Sequence, residues 1–287
     1  MIILVILFLL IIIFFKFIYF NNLILFIDYQ AQILTYIFVF LKLRYKVVEY
    51  NLNKVLPDLE KKEISKIYFN SSKLSIMNSL IAMHQRFMID RDYLSRYYDP
   101  FEIPDELKHD LKNNKVIFAL GHCGIYTDYN TNYQLISPLS WIYKINNKFF
   151  EKFFYIFDGL ENKILSIKHD KLSNYIYNEY PSMYVNCDQK ANTKKDNIIF
   201  LKQNTNFHYS VADIHNVTKR SIWFYFNKYN LKKKRFSIEI IPIIRYHSYK
   251  NRKKDIMQKI ADLITERAIK YPEQYFWHHD RFNSGLK

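Results

Sequence analysis

The segment Lys115–Asp128, KVIFALGHCGIYTD, sets His122 between Gly121 and Gly124 in a chain of 287 residues that holds four glycines in all. Histidine is the side chain whose ordinary pKa suits proton transfer near neutral pH, and a positioned general base contributes about 10²–10⁴ in rate. Glycine permits positive φ and close approach to the backbone. At an ordinary frequency of about 7%, a chain of this length would hold roughly twenty, so the few present mark places where geometry demands them. A helix starting just beyond Gly124 would add free N–H groups for a developing oxyanion. Two cysteines lie beside this chemistry, Cys123 after His122 and Cys187 before Asp188. A cysteine nucleophile forming a covalent intermediate is one reading, and a small buried thiol is the commoner one. Two cysteines make no disulfide framework, in keeping with a reducing cytoplasm. His278-His279-Asp280 lacks the ligand spacing of a metal site, so none is expected.

These residues need elements to position them. Short β-branched or aromatic runs at 115–120, 139–145, 182–187, 197–201, 221–226 and 236–243 read as strands. Between them lie helical patterns, the clearest over Lys254–Lys270, where Ile256, Ile260, Leu263, Ile264 and Ala268 share a face before Pro272. Alternating strands and helices predict an α/β fold, its sheet partly parallel with helices on both sides. Open α/β sheets bind ligands just beyond the C-terminal ends of their strands. By that rule the first strand delivers His122, the second Lys144 and Asn146, and the third Asp188 and Gln189.

Residues 1–20, MIILVILFLLIIIFFKFIYF, carry one charge, Lys16, and as a helix span about 30 Å, enough for one bilayer crossing. No basic n-region or small-residue cleavage site accompanies them, so a retained transmembrane anchor is expected. Residues 21–44 read as a second helical segment in or near the interface. Lys42, Arg44 and Lys46 follow, and the positive-inside rule then puts the globular part, 45–287, on the cytoplasmic face. Lysine and arginine outnumber aspartate and glutamate by 42 to 27, so a net charge of +15 favours anionic partners. The basic clusters lack the signatures of the common nucleic-acid modules, and nucleic acid is not expected.

The motif order resembles the late acyltransferases of bacterial lipid A biosynthesis, the lauroyl and myristoyl transferases, within the lysophospholipid-acyltransferase-like superfamily. GHCG matches the glycine-flanked histidine, RYKVVEYNLNKVLPDL (44–59) resembles the segment after the anchor, and IYKINN (142–147) the Tyr-basic-x-x-Asn segment. Asp188-Gln189 follows, and PEQYFWHHDRF (272–282) carries the Pro-Glu-Gln-Tyr-x-Trp-x-His-x-Arg-Phe ending, the most specific of these strings. The resemblance implies a glycerolipid-acyltransferase-like mixed sheet flanked by helices, behind an N-terminal transmembrane helix in the inner membrane. It implies transfer of a fatty acyl chain from acyl carrier protein, or acyl-CoA, to a hydroxyl of a lipid A precursor or related glycolipid, with no cofactor beyond the donor. His122 would be the general base, with Asp128 or Asp188 supporting it. Gly121, Gly124, Lys144, Asn146, Gln189 and Arg281 would bind substrate, His279 and Arg281 having a pin for the C-terminus as their other reading.

One departure matters. Where the family places Glu or Asp five positions after the histidine, this chain has Thr127, followed by Asp128. Threonine can hydrogen-bond a histidine but cannot balance its charge. Two alternatives therefore stand: an enzyme whose carboxylate is Asp128 or Asp188, or a non-catalytic member that binds glycolipid or a membrane partner.

Overall fold

Val116–Leu120 is an unbroken apolar run, as expected of a strand covered on both faces, and all five residues are buried. The computed structural model describes residues 22–84, 93–113, 116–127, 139–143, 163–166, 182–188, 198–245, 253–282 and 285. In it this run is β1, an inner strand of a six-stranded sheet. Its companions are β2 (Leu139–Tyr143), β3 (Lys163–Ser166), β4 (Ser182–Asn186), β7 (Ser221–Asn230) and β8 (Arg235–Ile244), while β5 (Ile198–Phe200) and β6 (Gln203–Thr205) form a separate antiparallel pair. The order is β3-β2-β4-β1-β7-β8, parallel throughout except for the antiparallel β7–β8 edge. The run at 197–201 thus forms a strand outside the main sheet. Neither KILS of β3 nor QNT of β6 carries a β-branched alternation, so no strand was expected there.

Helices cover both faces, as the alternation predicts. Ile117, Ala119, Val185, Ile222 and Phe224 point to one side, where α7 (Lys253–Lys270) lays down Ile256, Met257, Ile260, Ala261, Ile264 and Ala268. The alternate residues Phe118, Leu120, Tyr184, Trp223 and Tyr225 meet Leu107 of α5 (Asp105–Asn113) on the other. Period two in the strands and period 3.6 in the helices therefore close the same core. The N-terminal part adds α1 (Leu23–Phe40), α2 (Tyr45–Val55) and α3 (Lys61–His84). Ile64, Ile67 and Tyr68 of α3 join the main core, whereas Leu74, Met77 and Ile81 pack with Leu23, Ile24, Ile27 and Ala31 of α1. The anchor expected over 1–20 lies outside the described residues.

Candidate active site

Adjacent parallel strands in register carry their next residues to the same level. β1 and β4 pair Leu120 with Asn186, and each chain runs two residues further, to His122 and Asp188. The Cys187 amide extends the ladder by donating to the Leu120 carbonyl at 2.7 Å. Asp188 then takes the histidine twice: Oδ2 accepts from the His122 backbone N–H at 2.9 Å, and Oδ1 lies 2.6 Å from Nδ1. A carboxylate at Nδ1 fixes the neutral ring with its proton there and the Nε2 lone pair open. No other described residue bonds Nε2. The His122 side chain is 21% exposed and that of Asp188 1% exposed, so one partner reaches the surface while the other is sealed beneath it. The ring of Tyr126 stands edge-on at 4.9 Å and that of Phe276 at 6.3 Å.

The electrostatics follow from this burial. Desolvation disfavours protonated His122, but the charge of Asp188 and its hydrogen bond outweigh it, and the pKa rises above the usual 6.5 even though Arg281 pulls the other way. Desolvation likewise opposes ionised Asp188, yet His122, through charge and both hydrogen bonds, and Arg281 hold the carboxyl below its ordinary range. His122 is thus an imidazole already paired with the counter-charge its protonated form requires.

Both glycines are explained by the protein's own packing. Gly124 has φ +71°, and a Cβ there would lie 2.1 Å from the Asn227 carbonyl oxygen. At Gly121 a Cβ would lie 2.8 Å from Ile264, so this glycine lets α7 press against the end of β1. The amides of Gly124, Ile125 and Tyr126 are also committed. Gly124 N–H donates to Gln274 O at 2.7 Å, Ile125 N–H to Asn227 O at 2.7 Å, and Tyr126 N–H to Asn78 Oδ1 at 3.0 Å. These three amides are therefore not free donors for an oxyanion, and the residues that follow, from 128, lie outside the described ones.

The Thr127 hydroxyl donates to the Asn78 carbonyl at 2.7 Å. Asn78, buried on α3, also donates to Gly124 O at 2.9 Å, so one side chain clamps the whole turn behind His122. Sequence reasoning missed it, although an asparagine inside a helix beside Leu74 and Met77 is the available signal. In Asn78→Ala, Gly124 O and Tyr126 N–H lose buried partners, and stability measured by denaturant unfolding should fall by about 2–4 kcal/mol with an unchanged slope.

Arg281, foreseen as a substrate contact or a pin for the C-terminus, lies directly behind Asp188. It is 3% exposed. Its guanidinium donates to Asp188 O at 2.7 Å, Thr205 Oγ1 at 3.0 Å and Asn206 O at 3.2 Å, and lies over the rings of Phe200 and Phe207. This sets the backbone of Asp188. The C-terminal string is itself tied down by Asn51 of α2, whose Nδ2 donates to Trp277 O at 2.8 Å and His279 O at 2.9 Å. Tyr275, paired with Cys123 in an isolated bridge, is buried beside Asp188, and burial first and that charge second push its phenol well above the ordinary value. His278 is neutral, its pKa lowered to about 4 by burial, and it meets Ser72 Oγ at 2.9 Å.

Both cysteines are buried, and desolvation first, then the charge of Asp188, raises their thiol pKa values. They are neutral thiols beneath the dyad, poorly suited to be nucleophiles. Of the other foreseen residues, Asp128, Lys144, Asn146 and Gln189 lie outside the described residues.

No curated protein matches the chain. A family model does, over residues 2–284, and its description is bacterial lipid A biosynthesis acyltransferase. A match of that extent includes the dyad, the turn behind it and the C-terminal string, and the chain belongs to the bacterial lipid A biosynthesis acyltransferases.

Proposed function

We propose that the protein is a membrane-anchored O-acyltransferase that moves a fatty acyl chain from acyl carrier protein, or acyl-CoA, to a hydroxyl of a lipid A precursor or related glycolipid. The observation that carries this reading is the 2.6 Å contact of Asp188 Oδ1 with His122 Nδ1, which leaves Nε2 as the open end of the ring. Nε2 takes the proton of the acceptor hydroxyl as its oxygen attacks the donor's thioester carbon. The new C–O bond forms, the C–S bond breaks, and the imidazolium returns its proton to the departing thiolate, restoring the neutral base. Asp188 holds the ring and balances the intermediate imidazolium. The net charge of +15 suits both a phosphorylated glycolipid and an acidic carrier. Residues 1–20 would keep the site at the inner membrane, with the domain on the cytoplasmic side.

The departure at Thr127 gives little support to a non-catalytic member, because Asp188 supplies the carboxylate that Thr127 cannot. The test is mass spectrometry of lipid A from cells with and without the protein. Loss of one acyl chain, restored by the wild-type chain, is the expected result, and its mass identifies the chain transferred. An unchanged lipid A profile together with no product from any acyl-carrier or acyl-CoA donor in vitro would remove the enzymatic reading.

A further inference from the structure

α1 has the length and apolarity of a membrane-crossing helix, 18 residues at a mean hydropathy of 1.7. Its packing is one-sided. Leu23, Ile24, Ile27, Asp28, Ala31 and Thr35 are buried, whereas Tyr29, Ile33, Tyr36, Ile37 and Phe40 are exposed by 46%, 53%, 61%, 55% and 84%. Spacings of three and four put the exposed set on one stripe. The stripe runs into a basic turn in which Lys42, Arg44 and Lys46 are all exposed.

Asp28 decides how such a helix can meet a membrane. Its Oδ1 lies 2.9 Å from Lys73 Nζ and accepts from the Tyr229 hydroxyl at 3.1 Å, and its Oδ2 lies 2.8 Å from Lys234 Nζ. The side chains of Lys73 and Asp28 are 4% and 3% exposed, so separating them would leave a buried charge without a partner. Lys234 closes the turn Leu231–Lys234 between β7 and β8, a turn whose Lys232 and Lys233 are exposed, and β8 is an edge strand. α1 is therefore fixed beside a lysine-rich turn. That turn cannot enter hydrocarbon, where ammonium ions find no water. If α1 crossed the bilayer it would carry the turn inside.

The geometry points to α1 lying in the plane of the membrane, with its Tyr29–Phe40 stripe at the headgroup–acyl boundary of an anionic bilayer and Lys42, Arg44 and Lys46 on the lipid phosphates. The inference rests on the membrane-bound acyl transfer proposed above and names the surface that faces the lipid. Asp28 fixes the orientation of that surface relative to the domain that carries His122.

The test uses the full chain in vesicles of phosphatidylglycerol and phosphatidylethanolamine. Tyr29→Cys, Ile33→Cys, Ile37→Cys and Phe40→Cys are made singly and labelled with an environment-sensitive fluorophore, the native Cys123 and Cys187 being 4% and 2% exposed. Lipids carrying nitroxides at different acyl positions then report the depth of each site. The expected result is one shallow depth shared by all four positions. Depth changing steadily along the helix, by about 1.5 Å per residue, would show a crossing helix and overturn the inference. Absence of quenching at every position would overturn it in favour of a protein-covered face, a second copy included. The readout is independent of acyl transfer, so its failure and the failure of the enzymatic reading are separable.

Discussion

Replacing His122 with alanine lowers acyl transfer by about 10²–10⁴, the usual contribution of a general base, while the protein stays folded. The loss is this large because an alcohol holds its proton far above neutral pH, and Nε2 of His122 is the open acceptor at the shared end of β1 and β4. The fold survives because the elements around the residue do not depend on the ring. Gly121 and Gly124 make their contacts through backbone, and His122 keeps its own backbone bonds, N–H to Asp188 and carbonyl to Phe276 N–H at 2.9 Å. Initial rates with an acyl-carrier donor, alongside near-ultraviolet circular dichroism, check both halves. A folded variant with the wild-type rate would sink the mechanism.

The second large effect is at Asp188. In Asp188→Asn the carboxylate is replaced by an amide whose NH₂ can face Nδ1, favouring the tautomer that carries its proton on Nε2 and cannot act as a base. The rate should fall by about 10²–10⁴ at neutral pH. The pH profile separates this from a merely structural loss. Neutral His122 is the active form, so activity disappears as pH falls through its pKa, and in the native protein Asp188 helps hold that pKa above 6.5. Removing the negative charge takes away what raises it, while desolvation and Arg281 remain. The acid limb of the kcat/KM profile should therefore move to lower pH in the variant. Thr127→Ala and Asp128→Asn are the controls: if Asp128→Asn carried the large loss and Asp188→Asn did not, the assignment of the supporting acid would be reversed.

Much of this arrangement is legible in the sequence because it depends on local periodicity. VIFAL, short, apolar and followed by glycine, reads as a strand, and the spacing of Ile256, Ile260, Ile264 and Ala268 as the buried side of a helix. The rarity of glycine marked the turn at His122, since only a residue without Cβ fits beneath the Asn227 carbonyl at a φ of +71°. What had no local signal was missed. β3 and β6 are short and partly polar, and they are strands because a neighbour supplies their hydrogen bonds.

The choice between Asp128 and Asp188 could not be made from sequence spacing. Asp128 is six residues from His122 along the chain and Asp188 sixty-six, and proximity in sequence favours the first. Parallel pairing of β1 with β4 nevertheless sets Asp188 on the ring, because the Leu120–Asn186 register brings the residues two steps beyond each strand together at 2.6 Å. The same holds for Arg281. The resemblance gave it substrate binding or a C-terminal pin, and the fold surrounds it with Asp188 O, Asn206 O and two aromatic rings.

By itself the sequence determined the family, the histidine, the turn that presents it and the apolar N-terminal region, since each is written in short strings or in composition. Only the tertiary structure showed that Asp188 meets the His122 ring, that Thr127 and Asn78 hold the turn, and which face of α1 is left open. Each of those depends on groups far apart in the chain, brought within hydrogen-bonding distance by strand register and helix packing.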